Sequence, residues 1–371
     1  MNSCGRAYGI SCYSAHRSDS NRPLRVYFET LQTSISIGTP VRTLQRMMII
    51  AGDIGGTKTN LGLFDVVNGG LVLHNQQSYP SRNFKELESI VEEFMSGAGS
   101  IAAGCFGVAG PVIEGRSETT NLPWIVESQS LAALLKLESV SLINDLEATA
   151  YGIAELQPDE FVILNEGTRE EGNAALIAAG TGLGTAGLIW DGREFLPSAG
   201  EGGHVDFAPR NQFEIQLLQS LLRKHQRVSI ERVLSGPGLF VIYQFLRDTG
   251  YAKEPSGVAD RFKDHDPSSV VANAALAKES ELCVKALDMF TAIYGAVAGN
   301  VALQLKAVGG VYVGGGIAPK IIDKLKDGTF MKAFTDKGRL ASLLQAIPVK
   351  VIMNDKTALL GSARVAAKQA T

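Results

Sequence analysis

The sequence predicts an α/β protein of two similar domains facing each other across a cleft. Three observations carry that reading. A buried strand runs into a Gly/Thr turn and a return strand between residues 48 and 66. The same grammar recurs about 125 residues later, as an internal repeat would. The chain has 371 residues and 45% hydrophobic content, enough for two cores rather than one.

The first unit opens with the apolar run Met48-Ile49-Ile50-Ala51-Gly52. Next comes the turn Asp53-Ile54-Gly55-Gly56-Thr57-Lys58-Thr59-Asn60, and Thr59–Val66 returns as a strand closed by Asn68-Gly69-Gly70. Leu71-Val72-Leu73 continues the meander. A helix is expected over Asn83–Met95, with Phe84, Leu87, Ile90, Val91 and Phe94 on one face. Ile101–Val108 reads as a buried strand ending in a glycine turn.

In the second unit the strand is Ala174–Ala179, the turn Gly180-Thr181-Gly182-Leu183-Gly184-Thr185, and the return strand Ala186–Trp190. Val308–Gly316 then matches the earlier Ile101–Gly110 strand and turn. Helices are expected over Gln212–Arg223, with Phe213, Leu217, Leu218, Leu221 and Leu222 together, and over about 280–306. The latter aligns Cys283, Leu287, Phe290, Tyr294, Val297 and Val301; both stripes read as core without chemistry. The last helix, Thr357–Ala367, is Ala-rich and suits close packing.

Charge is nearly balanced, 35 basic against 38 acidic residues, which gives no electrostatic case for nucleic acid or an anionic membrane. No apolar run suggests the ~18–20 residues needed to span a bilayer. Cys4, Cys12, Cys105 and Cys283 show no paired spacing, so neither a disulfide framework nor a zinc site is expected, and a reducing, cytoplasmic setting is. Residues 1–46 are rich in Arg and Ser with only Asp19 and Glu29 acidic. That composition is compatible with organelle targeting. A tail, or a translated leader upstream of Met47 or Met48, fits as well and is preferred, because the folded pattern starts at Met47.

Glycines let backbone N–H groups point into a tight turn, and threonine hydroxyls add donors, so both Gly/Thr turns suit phosphate. A plain β-hairpin is the alternative for the first turn alone. Asp53 ends a buried strand, where a carboxylate needs a partner or a cation. Mg²⁺ held through water is the natural one beside a phosphate. Gly182-Leu183-Gly184-Thr185-Ala186-Gly187 satisfies G-x-G-x-x-G but opens into a strand, not the helix a dinucleotide fingerprint requires. No P-loop motif is present.

The chain resembles the bacterial-type glucokinases of the hexokinase/actin/Hsp70 ATPase superfamily from about Met47 to its end. The resemblance is carried, in order, by Gly52–Thr57, Ile143-Asn144-Asp145, Gly180–Gly184, Gly200–Pro209, Glu231–Gly238 and Gly309–Ile317. It implies a duplicated ribonuclease-H-like (actin/hexokinase-type) fold with an interdomain cleft. The expected division is a small domain of residues 47–154 plus 353–371 and a large one of 155–352. It implies ATP and Mg²⁺ as cofactors and transfer of the γ-phosphoryl group to the 6-hydroxyl of D-glucose, the entry to glycolysis. Asn144, Asp145, Glu201, His204 and Glu231 would contact the sugar, with Asp145 as catalytic base. The first two turns would hold phosphates, and Gly314, Gly315 and Gly316 would border the adenosine. No Cys-rich motif follows His204, which places the chain in the zinc-free group. Family analogy favours a homodimer.

The residues themselves leave alternatives open. Asn144-Asp145-Leu146-Glu147 also reads as a helix cap with Glu at its third position, and both roles can hold at once. Glu201-Gly202-Gly203-His204 offers groups that suit sugar hydroxyls, against a loop turn or a metal site short of ligands. Without the resemblance, Glu231 reads as a solvated helix-start glutamate. Asn121 either approaches the sugar or is a turn asparagine ahead of Pro123. Rival functions are a sugar-sensing transcription factor, which needs a helix-turn-helix that residues 1–46 do not suggest, and a chaperone-like or actin-like ATPase. Nearer rivals are another hexose or amino sugar as acceptor and polyphosphate as donor.

Overall fold

The computed structural model describes residues 47–119, 122–168 and 170–370. Asn121 and the extension 1–46 lie outside the described residues. The strands are β1 (Met47–Ile54), β2 (Lys58–Val67), β3 (Gly70–Pro80), β4 (Ala103–Val108), β5 (Val112–Ile113), β6 (Arg116–Glu118), β7 (Ile125–Glu127) and β8 (Ser141–Asn144). They continue with β9 (Phe161–Asn165), β10 (Ala174–Ala179), β11 (Leu183–Trp190), β12 (Phe195–Gly200), β13 (Gly310–Gly314) and β14 (Val349–Ile352).

The repeat read from the sequence is a repeat of topology. One sheet has the order β3-β2-β1-β4-β8 and another the order β12-β11-β10-β13-β14-β9. In each, the opening strand pairs antiparallel with the next and parallel with the strand on its other side: β1 with β2 and β4, β10 with β11 and β13. The parallel strands are buried on both faces and read as unbroken apolar runs, as such strands must. β9 adds an antiparallel edge with no counterpart in the first sheet. β5, β6 and β7 form a small third sheet.

Each sheet packs helices on both of its faces. Helix Glu281–Leu305 runs through the second core; Ser280 Oγ accepts from Cys283 N at its start, and Lys306 ends it in the left-handed region with φ 48. It is long and apolar enough to cross a bilayer by length and composition, contrary to the sequence expectation, and 72% of that window is buried inside the protein. Helix Thr357–Ala370 returns to pack on β1, β4 and helix Asp145–Gly152. Small residues permit that approach: a Cβ on Gly361 would stand 1.7 Å from Ala148 O, and one on Gly152 1.9 Å from Thr357 O. Arg364 of this helix pairs with Glu155 and with Glu194, which lies between β11 and β12 and also accepts from Lys368. That cluster ties the two sheets together.

Two expectations about helices need correction. The first helix begins at Leu87, because Ser81–Asn83 forms a separate 3-10 turn. On helix Gln212–Leu222, Leu217 and Leu221 are buried, but Phe213 is 40% and Leu222 48% exposed. Glu214 takes the inward place instead: its carboxylate accepts from Arg210 and from Asn211 Nδ2, while its own backbone N–H donates to Oδ1 of Asn211, the helix cap. A charge so well hydrogen-bonded can displace an apolar neighbour from the core.

Candidate active site

The first Gly/Thr turn is the β1–β2 hairpin. Gly55 N–H closes it onto Lys58 O at 3.0 Å. Lys58, Thr59 and Asn60 belong to β2, not to the turn. Two residues expected to face phosphate point inward: Ile54 is core, and Thr59, fully buried, bonds Ser81 Oγ at 3.0 Å. The reason is the strand's alternation, which turns every second side chain to the core. Ser81 also donates to Gly55 O at 2.8 Å, so it buttresses the turn from behind. The donors left at the surface are those of Gly56, Thr57 and Lys58.

Asp53 stands at the end of β1. Asn60 Nδ2 donates to its Oδ2 at 3.0 Å. Burial raises its pKa to about 6 despite that bond, with Asp145 and Asp355 adding negative charge nearby. An excess of negative charge around one poorly solvated carboxylate is what a cation relieves. Among the described residues no three carboxylate, His or Cys side chains gather as a cage. The donor set therefore fits an ion that keeps most of its waters, as Mg²⁺ does.

The second turn lies between β10 and β11. Gly180 N–H donates to Gly182 O, and Gly180 O accepts from Gly236 N, each at 2.8 Å. A Cβ on Gly180 would meet nothing within 4 Å, so the turn opens to space. Gly184, expected in this turn, lies in β11. A Cβ there would stand 2.9 Å from Leu146 Cδ2, so it admits the residue next to Asp145 rather than a phosphate. Gly315 adopts φ +81, where a side chain would be strained and would also stand 2.3 Å from Ala179 O. Gly314 is the last residue of β13, and Gly316 faces open space.

Asp145 begins the helix that follows β8. Asn144 is its N-cap, accepting from Leu146 N and Glu147 N, while Asn144 Nδ2 donates to Gly110 O at 3.1 Å. Both halves of the Asn144 amide are thus engaged within the protein. Asp145 Oδ1 accepts from Leu146 N at 2.8 Å. Burial is the main cause that raises the Asp145 pKa; that bond opposes it, and the charge of Glu201 adds to it.

Glu201 and His204 are exposed; the first precedes the 3-10 turn Gly202–His204 and the second ends it. The two glycines lie flat on β11: a Cβ on Gly202 would stand 2.0 Å from Thr185 Oγ1, and one on Gly203 2.0 Å from Leu183 O. Arg227 holds the same loop through His204 O and Asp206. Glu231 is not a solvated helix-start residue. It sits in a 3-10 turn and accepts from Leu183 N at 2.9 Å, directly behind Gly182. Sequence reasoning missed Ser81, Arg227 and Asp355. None belongs to a motif, and their roles come from neighbours far away in the chain.

Asp53, Asp145 and Glu201 thus come together between the two sheets, flanked by two glycine turns. The description "Glucokinase" belongs to a family model that matches residues 50–369. A glucokinase of Nostoc sp. is 42% identical over 86% of this chain and 99% of its own length. The chain belongs to the glucokinase family. Its fold is close to that of glucokinase from an Antarctic psychrotroph, with a TM-score of 0.77, 28% identity, and coverage of 87% of this chain and all of that one. A ROK family glucokinase from Streptomyces griseus, solved with glucose and AMPPNP, has the same fold at 20% identity, with a TM-score of 0.59 and coverage of 86% of this chain and 99% of that one. The actin-ATPase-like fold and the glucokinase family assignment therefore agree with the topology described above.

Proposed function

We propose that this chain is an ATP-dependent glucokinase that transfers the γ-phosphoryl group of ATP to the 6-hydroxyl of D-glucose, with Asp145 as general base. The observation that carries the reading is the place of Asp145: a buried carboxylate at a strand–helix junction, facing Glu201 and lying between two glycine turns. Family membership and the nucleotide analogue in the Streptomyces griseus structure support the donor.

Phosphoryl transfer asks the protein for positioning, charge neutralisation and a proton acceptor. Asp145 supplies the last. With its pKa raised, chiefly by burial, the carboxylate takes a hydroxyl proton more readily than an ordinary aspartate would. Glu201, His204 and Glu231 orient the sugar, and Asn144 fixes the head of the helix on which Asp145 sits. Gly56, Thr57 and Lys58 on one side and Gly180, Thr181 and Gly182 on the other would grip the phosphates. Gly314–Gly316 border the adenosine. Asp53 would hold Mg²⁺ through water, and that ion supplies neutralisation of the phosphate charge. The domain division at residues 154 and 353, a homodimer and a cytoplasmic setting complete the reading, the first supported by the return of helix Thr357–Ala370 to β1.

A coupled assay over a panel of hexoses and amino sugars, with ATP and with polyphosphate, tests it. Glucose with ATP should give the highest kcat/KM. A tenfold preference for another sugar or donor would replace the substrate assignment.

A further inference from the structure

One interior side chain joins the two turns on the nucleotide side. Tyr294 of helix Glu281–Leu305 is fully buried, its ring edge-on to Phe290 at 6.1 Å and to Phe330 at 5.6 Å. Its hydroxyl lies among backbone groups rather than side chains. Ala179 N–H donates to it at 3.2 Å, while Gly314 O, at 3.2 Å, and Ile177 O, at 3.4 Å, are its acceptors. A phenol has a single proton to donate, so the nearer Gly314 O and the more distant Ile177 O share it, while Ala179 N–H fills its acceptor side.

The location matters. β10 and β13 last pair at Ala178 and Gly314. Beyond that point the strands part, β10 into the turn at Gly180 and β13 into the turn at Gly315. Parting leaves backbone groups without ladder partners, and a buried N–H or C=O must find another. The Tyr294 hydroxyl meets that need at Ala179, one residue ahead of the first turn, and at Gly314, where the second begins. We propose that Tyr294 is a positioning residue that fixes the spacing between the phosphate turn at Gly180–Gly182 and the adenosine turn at Gly314–Gly316. The inference rests on reading those turns as two jaws for one nucleotide.

Tyr294→Phe tests it, because the ring packing stays and only the hydroxyl goes. The KM for ATP should rise about 3- to 10-fold, the worth of one hydrogen bond, with the KM for glucose within twofold of wild type. Phe330→Leu serves as a core control: it should lower Tm without moving the KM for ATP. A Tyr294→Phe enzyme whose Tm falls while its KM for ATP stays within twofold overturns the proposal. Thr181→Ala separates the two layers. If that change also leaves the KM for ATP untouched, the nucleotide reading of the turn fails; if it raises the KM while Tyr294→Phe does not, only the inference fails. Should the Phe variant not fold, amide exchange on the wild-type protein decides. The Ala179 amide should gain protection when a non-hydrolysable ATP analogue is added, and no gain overturns the proposal.

Discussion

Asp145 and Glu201 come from different sheets, yet the charge of Glu201 helps to hold the Asp145 pKa above its ordinary value. One begins the helix after β8; the other follows β12. A like charge nearby disfavours ionisation, so the sign is fixed. The acid limb of kcat/KM against pH should therefore lie above the ordinary aspartate range. In Glu201→Gln it should move to lower pH, whatever happens to the KM for glucose. An acid limb that stays put would separate the two carboxylates.

Removing the base itself is a harsher test. Asp145→Asn keeps an acceptor for Leu146 N and nearly the same volume, so the helix head should survive. Turnover should fall at least about 100-fold, the usual worth of a general base. Glucose should still bind, as calorimetry would read directly. Turnover within tenfold of wild type would take Asp145 out of the role.

The sequence made the duplication legible because glycine turns and period-two runs are local signals. Strand order β3-β2-β1-β4-β8 and its copy follow from two hairpins and two crossovers that a reader can locate residue by residue. Burial within the turns was harder. Thr59 reads as a phosphate donor, and only its register in β2 sends it to Ser81. Glu231 looked solvated because its partner, Leu183 N, lies 48 residues away. Tyr294 was legible as core, but its hydroxyl partners are set by where two strands part. What sequence conceals here is side-chain direction, which depends on tertiary neighbours. Asn121, outside the described residues, keeps only its sequence reading.

The sugar loop depends on having no side chain at Gly203. A Cβ there would stand 2.0 Å from the carbonyl oxygen of Leu183, which is backbone and cannot rotate away. Gly203→Ala must lift the loop off β11 and carry Glu201 and His204 with it. The KM for glucose should rise at least tenfold, since misplaced sugar contacts lose binding steeply. Gly257→Ala, where a Cβ meets nothing within 4 Å, is the control and should change the KM less than twofold. Equal effects from both would mean that the loop tolerates displacement.

Glu231 links the sugar side to the phosphate side through Leu183 N. Its two functions separate by substitution. Glu231→Gln retains an oxygen that can accept from Leu183 N–H, so it should raise the KM for glucose and leave that for ATP within twofold. Glu231→Ala loses the acceptor as well, freeing the turn behind Gly182, and should raise both. Steady-state kinetics with each substrate varied gives the answer. An unchanged KM for ATP in the Ala variant would mean that the turn holds its shape without Glu231.

Asp53 should reveal itself in stability as well as in rate. Its folded pKa, about 6, lies above the ordinary 3.8, so the folded state binds the proton more tightly than the unfolded one. That contribution is fully present below about pH 4 and is lost as pH rises through about 6. Above that range the folded protein carries a buried charge among Asp145 and Asp355, with Asn60 its one side-chain donor. Asp53→Asn removes the charge and can keep the Asn60 contact. The variant should therefore melt higher than wild type at pH 8, by at most about 3 kcal/mol, and alike at pH 4. Mg²⁺ with an ATP analogue should narrow the gap at pH 8, because a bound cation stabilises only the carboxylate. Thermal melts at the two pH values, with and without Mg²⁺, read all of this. A variant less stable than wild type at pH 8 would show that Asp53 is paired more strongly than its surroundings suggest, and would remove the electrostatic argument for a cation there.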